Sequence, residues 1–514
     1  MVSDSGKTIS AWYAGVEMPQ FSPLAQDLST DICVVGAGIA GMTTAYLLAR
    51  EGRRVVLLED GTIGGGETGR TTAHFVNALD DRYYELERMH GTEGIRLAAQ
   101  SHTAAIHRVQ SIVEGERIDC DLLRLDGYLY EPRDGDQNSL EREKEACARA
   151  GLEVELVSRA PAPFDTGQAL KFPNQAQLHP LKYLRGLAES LKQRGVQIFT
   201  GTHALEIKDG TPCTVTTKGG AKVAAQAVVV ATNTPVNDRL VIHSKQMAYR
   251  TYVIGVEVPR DSIVPILLWD DDMPYHYVRL MRSLDQQNAS DLLIVGGEDH
   301  KTGQPEDLAA PFGRLERWTR ERYSMAGEVK FRWSGQVMEP YDGLAYIGRN
   351  PGEKNVYLIT GDSGNGMTHG TLGAMLVADL IAERANPWET LYDPSRKTLS
   401  ASKEYAAENL NVAAQYRDYL KRGDVRSTDE IRNGQAGVVR RGIKLIAAYR
   451  DESGKLHERS AVCPHLGCVV RWNSVEKSWD CPCHGSRFNG FGKVLNGPSL
   501  GDLAIAEGTE GTES

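Results

Sequence analysis

A chain of 514 residues is too long for one hydrophobic core, so two or three domains are expected. A 41% hydrophobic and 25% charged composition is that of a globular protein, and a net charge of −10 spread along the chain argues against nucleic acid or an anionic membrane as the main partner. Met1–Ser10 has no signal-peptide apolar core and runs such as Ala227–Ala231 are only strand-length, so no membrane span and a cytoplasmic location are expected.

A polar lead-in containing Trp12, Pro19 and Pro23 gives way to Asp31-Ile-Cys-Val-Val-Gly36, a buried-strand run ending in glycine. Gly36-Ala-Gly38-Ile-Ala-Gly41 then opens an apolar helix to Arg50, Gly52 closes it, and Val55–Leu58 forms a second strand ending in Glu59. In this βαβ unit Gly36 makes the tight turn, Gly38 lets backbone approach a pyrophosphate, and Gly41 lets helix and strand pack. Glu59 is placed to accept from adenosine ribose hydroxyls and disfavours a 2′-phosphate, which leaves NAD or FAD. A glycine-rich turn without a ligand is the bland alternative.

Residues 62–72 form a Gly/Thr loop that must pack close to something, with Gly69, Arg70, Thr71 and Thr72 as candidate cofactor contacts. Residues 80–113 read as largely helical. Between residues 115 and 345, strand-like runs (Tyr249–Val258, Tyr275–Leu280, Leu292–Val295) alternate with helical ones such as Pro180–Arg194. Val228–Asn233 is a buried strand ending in a small polar turn, with Ala231 and Thr232 at its tip. Val356–Thr360 leads into Gly361, Asp362, Gly364, Gly366, Met367 and Thr368, a strand, an acidic turn and a helix start. Gly361 permits close approach, Asp362 can bind ribityl hydroxyls, and the helix end favours negative charge on a flavin pyrimidine. The following apolar helix spans about 370–381, and Pro387 ends the body.

Together Gly36–Gly41, Glu59, Gly64–Arg70, Asp342–Gly348 and Gly361–Thr368 resemble the FAD-dependent amine and amino-acid oxidoreductases of the D-amino-acid oxidase type, over roughly residues 28–385. The resemblance implies a Rossmann-like α/β FAD-binding domain interleaved with an α+β substrate domain. It also implies oxidation of a carbon next to nitrogen to an imine that water hydrolyses. Tyr252, His276 and Arg279 are candidate catalytic residues, on stretches where the family places its substrate sheet. Alternation puts Tyr275, Tyr277 and Arg279 on one face and His276 on the other. Arg279, Lys245 and Arg250 are all available to an acidic substrate. Some relatives tether FAD through an early-loop histidine; the spacing of His74 here differs by one residue, which favours a non-covalent flavin.

Residues 388–423 are polar with Tyr405, Leu410, Ala413, Tyr416 and Leu420 at helical spacing, a connecting helix with one apolar stripe. Short strands and turns follow from Ser427, including Gly437–Val439 and Leu445–Tyr449. Within them, Cys463-Pro-His465-Leu-Gly-Cys468 and Cys481-Pro-Cys483-His484 form a dense cluster, unlike the scattered Cys33, Cys120, Cys147 and Cys213. The two boxes resemble those of Rieske proteins, over about residues 425–507. By that resemblance Cys463 and Cys481 hold one iron of a [2Fe–2S] cluster, His465 and His484 hold the other, and Cys468 pairs with Cys483 in a disulfide as in the cytochrome-bc type. A structural Cys₂His₂ zinc site is the alternative.

The expected organisation is an FAD-dependent oxidoreductase at 1–387, a helical linker at 388–423, a small all-β Rieske domain at 424–507 and a frayed tail at 508–514. FAD-binding segments fall at about 28–115, 180–235 and 335–387, and the substrate domain at about 116–179 and 236–334. A two-electron flavin beside a one-electron cluster suggests a dehydrogenase of a small amine or amino acid, passing electrons through the cluster to an external acceptor such as a ferredoxin, cytochrome or quinone. The cluster's histidine end is expected to be exposed and to be the exit. Reverse flow, a peroxide-forming oxidase and a non-enzymatic electron-transfer adaptor are the competing readings.

Overall fold

The computed structural model describes residues 5–131, 136, 138–236, 242–283, 289–304, 307–398, 409–412, 414–420 and 422–506. Its first layer is an eight-stranded sheet in which Leu28–Val35 lies parallel to both Val55–Leu58 and Lys222–Val230, and the latter is parallel to Val356–Thr360. Such strands are covered on both faces, which is why they read as continuous apolar runs; Cys33, Val34, Val228, Val229 and Val230 are all fully buried. The helices Ile39–Arg50 and Gly366–Ile381 both start at the carboxyl ends of these strands and pack on each other. The second helix begins four residues before the predicted start.

The second layer is a nine-stranded, mostly antiparallel sheet ordered Val329–Pro340, Gln246–Pro259, Ser290–Lys301, His276–Met281, Leu267–Asp270, Leu123–Tyr130, Ala169–Gln177 and His74–Phe75, with Glu155–Val157 off the path. Each expected strand is present; those at Tyr249–Val258 and Leu292–Val295 are longer than their apolar runs, and that at Tyr275–Leu280 is shifted by one residue to His276–Met281. The predicted helix after Asp80 is Tyr83–Glu116, broken at Gly91, whose φ of 70° no helix accommodates. The C-terminal region is all-β, a three-stranded and a four-stranded antiparallel sheet.

The expected connecting helix is described only in part, with 409–412 and 414–415 helical and Tyr416–Leu420 continuing as a 3-10 helix. Residues 388–398 pack on the oxidoreductase body: Tyr392 is fully buried, and Arg396 clasps Asp342 through two hydrogen bonds of 2.8 and 2.7 Å. Of the expected stripe, the described side chains are Leu410, 70% exposed, and Tyr416, 41% exposed, and neither is buried. Tyr416 and Tyr419 instead use their hydroxyls, donating to the carbonyls of Leu466 and Gly467 in the first cysteine box. Tyr405, Ala413 and the tail at 508–514 lie outside the described residues, and so does the side chain of Leu420. Among the described residues, no helix is long and apolar enough to cross a membrane.

Candidate functional site: a shared cavity and a cysteine–histidine cluster

A cavity of about 1520 Å³ runs between the two large sheets. One end is built by the glycine turn after Leu28–Val35. Gly36 has φ 104°, and a Cβ there would come within 2.4 Å of the Ala231 carbonyl; one at Gly41 would come within 1.8 Å of the Gly36 carbonyl. The turn can be built only from glycine, and it leaves backbone bare toward the cavity. Glu59 faces the same end and ties the turn together, accepting from the amides of Ala37 at 2.5 Å and Gly61 at 3.0 Å.

Of the predicted cofactor contacts, Gly36, Gly38, Glu59, Arg70, Thr71, Thr72, Ala231, Thr232, Asp362, Gly364, Gly366 and Met367 line this one cavity. Gly41, Gly69, Gly361 and Thr368 stand behind it. Thr368 Oγ1, for example, accepts from the Val76 amide at 3.1 Å, and Gly69 O accepts from Ser10 at 2.5 Å. Asp362 accepts from the Met338 amide at 3.0 Å and is pushed by burial up to about 6. His74 lines the wall with Nε2 buried and unbonded, and burial pulls it down to about 3. A long cradle with bare backbone at one end and small residues along its length fits a dinucleotide carrying a flavin.

The three candidate catalytic side chains do not line the cavity. Tyr252 and His276 turn to the opposite face of the sheet: the Tyr252 hydroxyl meets His300 Nε2 at 2.9 Å, and His276 stacks on Trp318 at 4.6 Å and bonds Asp270 at 3.0 Å. Arg279 shares a face with Tyr275 and Tyr277 but is covered by the early loop, donating to the carbonyls of Thr72, Ala73 and Leu178 at 2.9, 2.9 and 3.1 Å. What faces the cavity are Tyr275 and Tyr277, ring centroids 5.6 Å apart, together with Asp80, Asp299 and Glu339. The Tyr275 hydroxyl reaches Asp80 at 3.4 Å and Asp299 at 3.2 Å. Asp80 is exposed along the cavity and Asp299 and Glu339 are half-buried; their placement in the cavity wall, with neighbouring carboxylates adding to it, raises Asp80 to about 7, Asp299 to about 6 and Glu339 well above the carboxylate range. The sequence carried one unread hint, the paired acids of Gly-Gly-Glu298-Asp299 inside an apolar strand.

The second cluster is formed by two similar turns, in which Gly467 N bonds Cys463 O and Gly485 N bonds Cys481 O. They bring the His465 and His484 rings to 5.0 Å and the thiols of Cys463 and Cys481 into a shared hydrogen bond, which pulls Cys463 down. Cys468 and Cys483 are joined as a disulfide, so their closeness to Cys481, within 4.8 Å, leaves Cys481 to pair with Cys463. Burial keeps His484 neutral at about 3, and its Nδ1 is buried with no hydrogen-bond partner. Two thiols and a neutral, unsatisfied imidazole are the donor chemistry that a metal centre needs. They fit a [2Fe–2S] centre held by Cys463, His465, Cys481 and His484.

The domain that carries this cluster supplies part of the cavity wall through Val494, Leu495, Asn496, Gly497 and Ser499, while the cysteines and histidines of the cluster stand behind that wall. Gln336, on the cavity wall, donates to the Gly485 carbonyl at 3.0 Å, one residue from His484. A Cβ at Gly485 would come within 2.2 Å of the Ala248 Cβ, so glycine there lets the two regions close. The His465 ring meets His243 edge-on at 5.2 Å, and His484 is 7% exposed. The histidine end therefore faces the oxidoreductase body, which corrects the expectation of an exposed exit.

A buried ionic group locks the arrangement. Glu476 is 1% exposed and meets Arg70 at 3.1 Å and Arg250 at 3.3 Å. It also accepts from Thr8 Oγ1 at 2.5 Å and from Ser334. Burial would raise its pKa, but Arg70, Arg250 and Arg487 prevail and hold the carboxyl well below the usual range. Sequence reasoning missed Glu476, Gln336 and His243; an isolated acid in a hairpin carries no local signal of a partner some 400 residues away.

Residues 31–380 match the family model described as FAD dependent oxidoreductase, and residues 421–507 match the Rieske [2Fe-2S] domain. The chain is 32% identical over 496 residues to the Bacillus subtilis protein YhfW, described as a Rieske 2Fe-2S iron-sulfur protein, with 96% of each chain covered. It is 27% identical over 402 residues to the gamma-glutamylputrescine oxidoreductase of Escherichia coli, covering 74% of this chain and 92% of that one. The glycine oxidase structure from Geobacillus kaustophilus superposes with a TM-score of 0.60 at 19% identity, covering 72% of this chain and 99% of that one, a likeness of fold.

Proposed function

We propose that this chain, which belongs to the family of FAD-dependent oxidoreductases and carries a Rieske [2Fe–2S] domain, is a dehydrogenase that oxidises a C–N bond of a small amine or amino acid and passes the electrons singly to an external acceptor. When bound, FAD supplies a two-electron acceptor for hydride from the carbon next to nitrogen, and the cluster supplies a one-electron carrier. The carrying observation is the shared wall: Gln336 lines the cavity and holds the loop of His484.

The chain's own residues do the rest. Gly36, Gly38 and Glu59 would hold the adenosine diphosphate end, and Asp362, Gly364 and Gly366 the end nearest the helix Gly366–Ile381. Asp80 borders Gly364, where a Cβ would sit 1.7 Å from its Oδ2, and with a pKa of about 7 it is fit to take the ammonium proton of an incoming substrate. Tyr275 and Tyr277 wall off water. The substrate carbon loses a hydride and its nitrogen a proton; the resulting imine is hydrolysed by water, and two one-electron equivalents go to a ferredoxin, cytochrome or quinone. The inward-facing histidines make His465 and His484 the entry side of the cluster.

Anaerobic addition of substrate should bleach the flavin and then give the paramagnetic signal of a reduced Rieske cluster. In H484A the flavin should still bleach while reduction of a one-electron dye falls at least about tenfold. Prompt hydrogen peroxide formation that H484A leaves unchanged would refute the relay.

A further inference from the structure

The charge on the cavity wall is unbalanced. Three arginines line it, and each is already engaged. Arg70 is turned into the Glu476 lock at 3.1 Å, Arg82 bonds Asp271 at 2.7 Å, and Arg314 bonds Glu298. No lysine is among the described lining residues. The cations that the sequence offered to an acidic substrate are spent elsewhere: Lys245 donates to the carbonyls of Pro394 and Arg396 at 2.8 and 3.0 Å, Arg250 meets Glu476 at 3.3 Å, and Arg279 holds loop carbonyls. An α-amino acid entering this cavity would bury its carboxylate without a counter-ion, which is costly.

The acids are in the opposite condition. Asp299 Oδ1 is buried and has no partner of hydrogen-bond geometry among the described residues, although the Thr251 hydroxyl, itself 2.7 Å from Tyr277, lies near enough to draw its pKa down somewhat. Asp80 and Glu339 stand in the same wall, and the nearest aromatic faces are Tyr275 and Tyr277. Carboxylates bordered by tyrosine rings are what an organic ammonium ion requires, through both ion pairing and attraction to the ring faces.

We propose that the substrate is an aliphatic amine carrying a second positive charge and no carboxylate on the reacting carbon, a di- or polyamine, with its distal ammonium seated on Asp299 and screened by Asp80 and Glu339. This rests on reading the cavity as an amine-oxidising site and narrows its substrate class. The raised pKa values of Asp80 and Asp299 agree with it, since a bound dication would draw these carboxylates back toward ionisation.

The test is calorimetric titration of the FAD- and cluster-loaded full chain with 1,4-diaminobutane, n-butylamine, glycine, sarcosine and proline, under anaerobic conditions. The diamine should bind at least about tenfold more tightly than butylamine, and the three amino acids should give no binding heat. D299N should weaken diamine binding by about tenfold or more while D299E retains most of it, with flavin and cluster absorbance unchanged in both. Amino acids binding in preference to the diamine, or a D299N affinity equal to the parent's, would overturn the assignment; the wild-type panel decides even if a variant fails to fold. Diamine binding that never bleaches the flavin would leave a diammonium-binding site on Asp299 but overturn both its assignment as the substrate and the dehydrogenase reading.

Discussion

The strand Val329–Pro340 serves two acidic sites that handle charge in opposite ways. At Ser334 it meets Glu476, an acid brought from the cluster domain and matched by Arg70 and Arg250. Five residues on, it supplies Glu339, which shares Ser363 with Asp81, lies near Asp80 in the cavity wall and has no arginine partner among the described residues. Glu476 is fully buried and Glu339 is half-buried in the cavity wall; Glu476 is held strongly ionised and Glu339 is driven toward its neutral form. A buried acid with its cations in place fastens two domains. One without them stores an electrostatic deficit that only something from outside can relieve, which marks the place where a ligand belongs.

The same chemical edit, acid to amide, should therefore act with opposite sign at the two places. The larger effect is at Glu476. E476Q leaves two buried guanidinium groups without their carboxylate, a loss of about 3–5 kcal/mol. The melting temperature should fall by many degrees and the cluster domain should become open to limited proteolysis while flavin absorbance is retained. Because the folded-state pKa is depressed, the wild-type increment is fully present above the unfolded value of about 4.3 and disappears as pH falls below it. A wild type and E476Q that melt together at pH 7 would show the lock to be decorative.

At Asp299 the shift has the other sign. Its folded pKa is about 6, above the unfolded value of about 3.9, so the folded state is favoured below pH 4 and penalised as pH rises through 6. The groups facing it are Tyr275, Thr251, Asp80, Glu298 and His276. In substrate-free protein D299N should match wild type near pH 4 and be more stable above pH 7, by ~1–2 kcal/mol once cavity water is allowed for. Thermal melts across that range would decide it; a D299N that is less stable at pH 8 would mean the carboxylate has a counter-ion after all.

Where the sequence was legible, the reason was local. Gly36–Gly41 and Glu59 are close in the chain because a single βαβ unit makes their site, and the two cysteine boxes are close because two neighbouring turns make theirs. Strand alternation put Tyr275 and Tyr277 on one face, without saying that this face and not that of His276 lines the cavity. What was not legible depends on contacts between distant segments. Which of Arg70, Arg250 and Arg279 are spent, and on what, is set by Glu476 and by the carbonyls of Thr72 and Ala73, none of which advertises its partner. The facing of the histidine end was missed for the same reason, since Gln336 and His243 are fixed only by the closure of one region on the other.

The smallest effect tests whether burial, rather than pairing as such, separates the two acidic sites. Asp31 and Arg54 form a two-pronged ion pair of the same chemistry as Glu476 with its arginines, with distances of 2.7 and 3.3 Å, but at the surface, where Arg54 is 71% exposed. Water solvates both charges whether or not they meet, so the pair gains little over its separated state. Asp31 also accepts from the Arg54 amide at 2.9 Å, a bond that an asparagine oxygen can keep. D31N should therefore shift the melting temperature by no more than about 1–2 °C at pH 7, and 1 M salt should erase the difference. A drop approaching that of E476Q would mean that arginine pairing stabilises this fold wherever it occurs, and the contrast between the lock and the cavity would then rest on partner number and not on desolvation.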